Sequence, residues 1–481
     1  MPLILPGNVA SATAAAGYSI DNSCRFNGSD EYMQKTSSAA SPTLATKATF
    51  SIWIKRCQFA DSQFISYTAG AVSPYWQFRF GDTNDNLWMQ DYDGADSYYV
   101  ISTPKYGDPG AWYHLCYSYD STPATPSASS IRIFINGTQV TEFGTATYPS
   151  QNRATSMTKA SQTFPIGASV SGANTYSGYL AEVVCVDGQA LLPTSFGQFN
   201  ADSPTIWEPI DVTGLTLGNQ GFYLDFKDSA NLGNDANGGV DFTETNIDAT
   251  NQCTDTPTNN FCVINPLDNY YAASTFSEGN CKIVTNSSNR TWNTGTIGLT
   301  AGKWYWEVKA TEMSSDYQLF GISDIVSTST TRQLGQDTYS YALNGDNGTI
   351  YSNSSSSGAD WEEIAQGDII GHYLDLDNNK MYWAKDGSIM NSGTGFSITA
   401  AASTGTGFYL PAFGEYAASD TLTAEANFGG SPAFTVSSAV ADANGYGNFE
   451  YDPSDGGNAS FDGSAKDFLA ICTKNLGSDG G

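Results

Sequence analysis

Positive charge is scarce in this chain. Its 20 lysines and arginines stand against 49 aspartates and glutamates, a net charge of −29, although only 14% of residues are charged. A field of that sign repels phosphate backbones and anionic lipid, which argues against nucleic acid and membrane surfaces as partners. Histidine is scarcer still. His114 and His372 are the only two, and both lie in aromatic, strand-like runs (WYHL and IGHYL), where a core role is favoured over general-base chemistry. No nucleophile elbow, phosphate loop or zinc signature occurs. The eight cysteines form no CxxC pair. Cys57, Cys116 and Cys185 sit in apolar runs and read as reduced core thiols, while Cys253 and Cys262 flank a loop and are the pair left in question. No run approaches the ~18 apolar residues that span a bilayer. The opening MPLILPGNVASA has no basic region ahead of Leu3-Ile4-Leu5, so no export signal is expected, and residues 1–17 read as an extended arm.

What the chain does have is strands. A length of 481 residues suggests about two to four domains, each able to bury a core. TFSIWIKR (49–56), WQFRFG (76–81), AWYHLCYSYD (111–120) and IRIFING (131–137) all alternate with period two, and no helix-period stretch of useful length precedes residue 190. Ile131, Ile133 and Ile135 are placed on one face, with Arg132 and Phe134 on the other. Asn136-Gly137 then closes a hairpin, as Asp386-Gly387 does after MYWAK in the second half. The expected fold class is all-β, with two antiparallel sandwiches.

The order of runs adds a family resemblance to each half. GKWYWEVK, YQLFGIS, GDIIGHYLDLDNNKMYWAKDGS, FYLPAFGEY and NFGG resemble the SPRY domain over residues 266–432. CRFNGSDEYM followed by the strands above and VDGQALLPTSFGQF resembles the laminin-G-like members of the concanavalin A-like jelly rolls over residues 18–200. Carbohydrate binding is what the second resemblance most often implies, though fold alone does not establish it. Residues 201–265, rich in Asx and Gly, read as a connector, and residues 433–481 as a C-terminal extension. With the connector's FYLDFKDSANLGND and the terminal DFLAICTKNL, nearly the whole chain resembles structural proteins of marine bacteriophages.

Catalysis finds little support in the residues. Jelly-roll glucanases align their carboxylates on one strand face, and no Glu-x-Asp-x-Glu run exists here. Glu362 and Glu363 are adjacent and would point to opposite faces, while Asp375 and Asp377 fall at a hairpin end. The Asx-rich loop at 225–237 could offer calcium many oxygen donors, but its spacing is not that of an EF-hand, and Asx residues are also ordinary turn formers. No cofactor is expected.

Aromatics are the remaining handle, because sugar rings stack on exposed indole and phenol faces. Tyr75, Trp76, Trp88 and Tyr92 in the first half, and Tyr339, Tyr341 and Trp361 in the second, fall in loop-like stretches and are the candidate ligand-binding residues. They could equally cap the sandwich ends or pack between subunits. The resulting expectation is a non-enzymatic phage virion protein on the particle surface, as tail fibre, spike or head fibre. It would bind host surface glycan and touch other virion proteins. Phage fibres are commonly trimers, so a homo-oligomer is expected, although no heptad repeat enforces one. A purely structural decoration or connector subunit is the alternative, and a polysaccharide depolymerase a third reading.

Overall fold

In KATFSIWIKR the residues Phe50, Ile52 and Ile54 leave the strand on one side and Ser51, Trp53 and Lys55 on the other, and both sides are buried. A strand covered on both faces belongs to the middle of a layered unit. The computed structural model describes residues 17–59, 63–68, 74–81, 85–125, 127–269, 271, 273–286, 288–314, 318–357, 361–454, 461 and 467–479. The expected N-terminal arm therefore lies outside the described residues, apart from Gly17. The described residues divide into two units, one ending at Thr258 and one beginning at Asn259.

In the first unit, Lys47–Arg56 lies inside an eight-stranded sheet. Its neighbours are Trp112–Asp120 and Ser177–Asp187, with Ile131–Ile135 beyond the former and Ser23–Asn27 beyond the latter. A five-stranded sheet runs Phe143–Thr147, Ser97–Lys105, Asn86–Tyr92, Tyr75–Phe80, Gln63–Tyr67. All these pairings are antiparallel. Phe50, Ile52 and Ile54 from one sheet and Trp76, Phe78 and Met89 from the other share one core. Ile131 and Ile133 join it while Phe134 packs on the opposite face, and Asn136 and Gly137 take positive φ (46° and 75°) as their hairpin requires.

The segment at 201–265 is not a free connector. Trp207–Pro209 pairs with Gly197–Phe199, Phe222–Leu224 with Ser177–Asp187, Thr243–Thr245 with Tyr32–Thr36, and Gln252–Cys253 with Ser23–Asn27. Asx and Gly dominate its composition, yet Phe222, Leu224, Phe226, Leu232 and Phe242 are enough to seat it in the core. Two buried ion pairs fasten it further, Lys35 to Asp235 at 3.0 Å and Lys55 to Asp255 at 2.6 Å. Val212, Leu217 and Tyr223 cover the outer face of the eight-stranded sheet over Cys116, Phe134 and Val184.

The second unit is again two sheets. In the larger, Lys303–Met313 lies between Ile369–Asp375 and Leu422–Asn427, with Lys380–Lys385 beyond Ile369–Asp375. The smaller runs Trp292–Thr294, Leu410–Glu415, Gln318–Ser323, Ser340–Asn344, Thr349–Ser352, Ser355–Ser357. Trp304, Trp306 and Trp383 from the larger sheet meet Phe320, Leu343 and Phe413 from the smaller. Asp386 and Gly387 have φ of 47° and 77°, again the paired positive values of a tight hairpin. Asp375 holds the Asn378 amide at 2.9 Å and Asp377 accepts from Gly302 N at 2.9 Å, so both serve turns.

The stretch from residue 433 onward is also built in. Leu469–Ala470 pairs in parallel with Lys303–Met313, and Phe461 and Phe468 pack on Tyr373 and Tyr382. Asp442 clamps this end by accepting from Ala470 N at 2.9 Å and Asn475 Nδ2 at 2.7 Å. All eight cysteines are buried, and Cys253 and Cys262 fall in different units. Phe468 is fully buried. Phe468→Ala should therefore cost about 3–5 kcal/mol in urea unfolding of the second unit. A loss below about 1 kcal/mol would mean that the C-terminal segment is not part of its core.

Candidate functional site

The two sheets of the first unit differ in what lies outside them. The eight-stranded sheet is covered by the unit's own chain, whereas the five-stranded sheet carries its partly exposed residues on the face away from the core. Period-two alternation decides which residues those are. From Tyr75–Phe80, Trp76 and Phe78 go inward and Tyr75, Gln77 and Arg79 outward. From Asn86–Tyr92, Leu87, Met89 and Asp91 go inward and Trp88, Gln90 and Tyr92 outward. Register then aligns Tyr75 with Tyr92, Gln77 with Gln90, and Arg79 with Trp88.

The outward residues form two adjoining rows. Tyr67, Tyr75 and Tyr92 follow one another with ring centres 5.3 and 5.4 Å apart. Beside them Gln77 Nε2 donates to Gln90 Oε1, and Gln90 Nε2 donates to Ser97 Oγ at 3.0 Å. The guanidinium of Arg79 lies 4.1 Å over the ring of Trp88. Burial raises the phenols of Tyr67 and Tyr75 above their usual range, which keeps them neutral.

Charge is sorted as sharply as polarity. Across the described residues of these five strands the only acid is Asp91, and it points inward, where it accepts from Tyr98 OH at 2.9 Å, Thr155 Oγ1 at 2.7 Å and Ser156 N at 2.8 Å. Burial lifts its carboxyl above the ordinary range. The strands thus present no outward carboxylate in a chain holding 49 acidic residues. A face of half-buried tyrosine, tryptophan and glutamine side chains, with Gln77 and Arg79 buried among them, suits stacking and hydrogen bonding to hydroxyl-rich ligands. It lacks the pair of carboxyl groups that glycoside hydrolysis uses.

Of the residues expected to bind ligand, Tyr75, Trp88 and Tyr92 are brought together on this face, as members of strands and not of loops. Trp76 is not with them. It is fully buried, stacked on Phe78 at 5.9 Å, because it follows Tyr75 by one position. In the second unit Tyr341 and Trp361 are also core. Tyr341 OH donates to Thr399 Oγ1 at 3.1 Å and accepts from Thr399 N at 3.0 Å, and Trp361 meets Trp383 edge-on at 5.2 Å. Tyr339 is half-buried against that core. Missing from the expected set are Tyr67, Gln77, Arg79 and Gln90. Taking every second residue outward from Tyr75 and Tyr92 would have found all but Tyr67.

The two histidines are structural. Trp207 Nε1, which can only donate, lies 3.0 Å from His114 Nδ1, so the ring proton is on Nε2, which donates to Ser51 Oγ at 2.8 Å. In that tautomer His114 cannot take a proton from Ser51, which removes this pair as a nucleophile and base. His372 stacks on Trp306 at 4.8 Å and lies 3.0 Å from the Ile370 carbonyl. Glu182, at φ 48° where the Ser177–Asp187 strand bulges, accepts from Tyr223 OH at 2.7 Å, and burial raises its carboxyl to about 7. It lies with Ser51 and Trp53 in a small cleft on the covered side of the eight-stranded sheet.

The Asx-rich loop spends its donors internally. Asp235 takes the Lys35 ammonium and the amides of Tyr223 and Asn237, and Asp228 takes the amide of Ala230. Lys35 Nζ also sits 4.6 Å from the Phe222 ring centre, so a side-chain cation already stands where the loop would need one. No group of three or more His, Cys, Asp or Glu side chains fit to hold a metal occurs among the described residues.

Comparison with known proteins matches the two sandwiches. Residues 27–193 fit the model of the Concanavalin A-like lectin/glucanases superfamily, and residues 303–428 that of the SPRY domain. The chain thus carries a concanavalin A-like LamG domain followed by a SPRY domain. No curated protein matches it. Among solved structures it is similar to the SPRY domain of human HERC1, at 14% identity over 34% of this chain and 96% of that one, with a TM-score of 0.28. A SAP-like pentraxin from Limulus polyphemus gives 17% identity over 37% of this chain and 80% of that one, with a TM-score of 0.28. A proposed carbohydrate binding protein from Bacteroides ovatus gives 21% identity over 48% of this chain and 59% of that one, with a TM-score of 0.33.

Burial pushes both imidazoles down to about 3, from an ordinary 6.5. A depressed histidine favours the folded state above its unfolded value, so this stability is full above about pH 6.5 and is lost as the pH falls towards 3. Nitrogen NMR at pH 5 should show both rings neutral, with His114 carrying its proton on Nε2. A titration near 6.5 from either ring would contradict this.

Proposed function

We propose that this is a carbohydrate-binding protein, that the open face of its first unit is the binding surface, and that it serves as a non-enzymatic surface protein of a phage particle. The observation that carries the binding reading is the acid-free row of Tyr67, Tyr75 and Tyr92 beside Gln77, Gln90 and Trp88. Rings supply faces for the apolar side of a sugar, and the glutamine amides supply both donors and acceptors for its hydroxyls. The concanavalin A-like match over residues 27–193 supports the same chemistry. The virion setting, with host surface glycan as the ligand, is supported by the resemblance of the whole chain to phage structural proteins.

A ligand lying on a sheet face keeps one side in water, so single sites would bind weakly and many copies acting together would supply the grip. Trp88→Ala and Tyr92→Ala should each weaken retention on immobilised host polysaccharide about tenfold, the effect of losing ~1.4 kcal/mol of ring contact. Tyr339→Ala, outside this face, should leave retention unchanged. Affinity electrophoresis against a panel of neutral and acidic polysaccharides measures both. Full retention by the double variant Trp88→Ala/Tyr92→Ala would remove this face as the site.

A further inference from the structure

We infer a divalent-cation site in the second unit, formed by Glu415 and Asp420 with the side-chain amide of Gln318. Glu415 ends the strand Leu410–Glu415, and Gln318 begins the adjacent strand directly opposite it in the register. Asp420 follows in the turn closed by its own amide on Ala417 O at 3.1 Å, and Gln318 Nε2 reaches the next carbonyl, Thr421 O, at 3.5 Å. The three side chains therefore converge where the smaller sheet passes, through residues 416–421, into Leu422–Asn427 of the larger.

What points to a ligand is the state of the two carboxylates. Glu415 is 0% and Asp420 8% exposed. Glu415 Oε2 accepts from Thr285 Oγ1 and the Thr291 hydroxyl stands beside the carboxyl, but neither Glu415 Oε1 nor Asp420 Oδ2, both buried, makes a hydrogen bond of good geometry. No lysine or arginine pairs with either among the described residues. Other buried carboxylates also leave one oxygen unpaired, as Asp187 Oδ1 does, but Asp187 accepts two backbone amides on its other oxygen and Asp235 has Lys35. Two acids buried side by side without either are costly unless a proton or a metal ion neutralises them. Burial, aided by the charge of Asp420, raises the Glu415 carboxyl to about 8. Two carboxylates match the charge of one divalent ion, and an all-oxygen donor set selects a hard one, calcium before zinc. Water and main-chain carbonyls would complete its shell. Bound there, the ion would tie the two sheets of the sandwich together at the 416–421 crossing.

The test uses the full chain stripped with EDTA and titrated with calcium chloride in a calorimeter and in thermal melts. The expected result is one bound calcium and a melting temperature several degrees higher, since a ligand of the folded state alone stabilises it. Glu415→Gln and Asp420→Asn should each weaken binding at least tenfold and abolish the thermal shift. If either variant fails to fold, terbium luminescence of the unaltered protein supplies the second measurement: bound terbium should be displaced by calcium at one site. No binding, binding unchanged in both variants, or terbium emission indifferent to calcium would overturn the site.

Discussion

Side chains leave a β-strand alternately to its two faces, so each sheet of a sandwich commits one face to the core and needs something to deal with the other. In the first unit the eight-stranded sheet buries its second face under residues of its own chain, which is why Ser51, Trp53 and His114 are as buried as Phe50 and Ile52. On the five-stranded sheet that face is mixed, from the buried Gln77 and Arg79 through half-buried rings to the exposed Ser97 and Thr103. The difference assigns roles. Polar and titratable groups on the covered face, such as His114 between Trp207 and Ser51, are locked into single hydrogen-bonded states. Those on the open face can exchange their partners for a ligand's.

Electrostatics follows the same division. With 49 acids and 20 bases, most carboxylates must stay in water or find one of few cations. The first unit uses Lys35, Lys55 and Arg153 inside, each against an aspartate, and two of these pairs hold down the segment that composition alone would leave as a linker. Keeping acids off the outward positions of the five-stranded sheet weakens the repulsive field there, although the exposed Asp93 and Asp96 stand at one end of its strands. The effect matters for an anionic ligand and not for a neutral one.

Local rules made most of the fold legible. Asn136-Gly137 and Asp386-Gly387 adopt the positive φ values their residue types announce, and IRIFI buries the isoleucines that its alternation put together. The segment at 201–258 escaped because composition is an average, and burial of a loosely structured stretch depends on a few anchors such as Phe222 and Phe242. At the site the error was one of reading stretches where there were strands. Trp76 and Tyr341 look like loop aromatics only while their neighbours are read as irregular. Once Tyr75–Phe80 and Ser340–Asn344 are strands, parity sends both inward. The absence of acids from QFISY, YWQFRF, SYYVISTPK and FGTAT was visible in the letters, but it means something only when those runs are known to be neighbours.

A sheet face works differently from a pocket. Small-molecule sites gain affinity by enclosing most of a ligand, whereas a sheet presents its side chains in rows beside one another. Two small clefts of the first unit lie away from this face, one beside Trp53 and Glu182 and another beside Lys35 and Gln220. On the proposed reading, a ring row beside glutamines would align a sugar chain without enclosing it, and a single copy would release it quickly. Useful attachment then depends on how many faces meet the same surface and whether their spacing allows simultaneous contact. That requirement links the chemistry of one sheet face to display in multiple copies, and it makes the rigidity of the supporting sandwich, more than the depth of any pocket, the property on which binding rests.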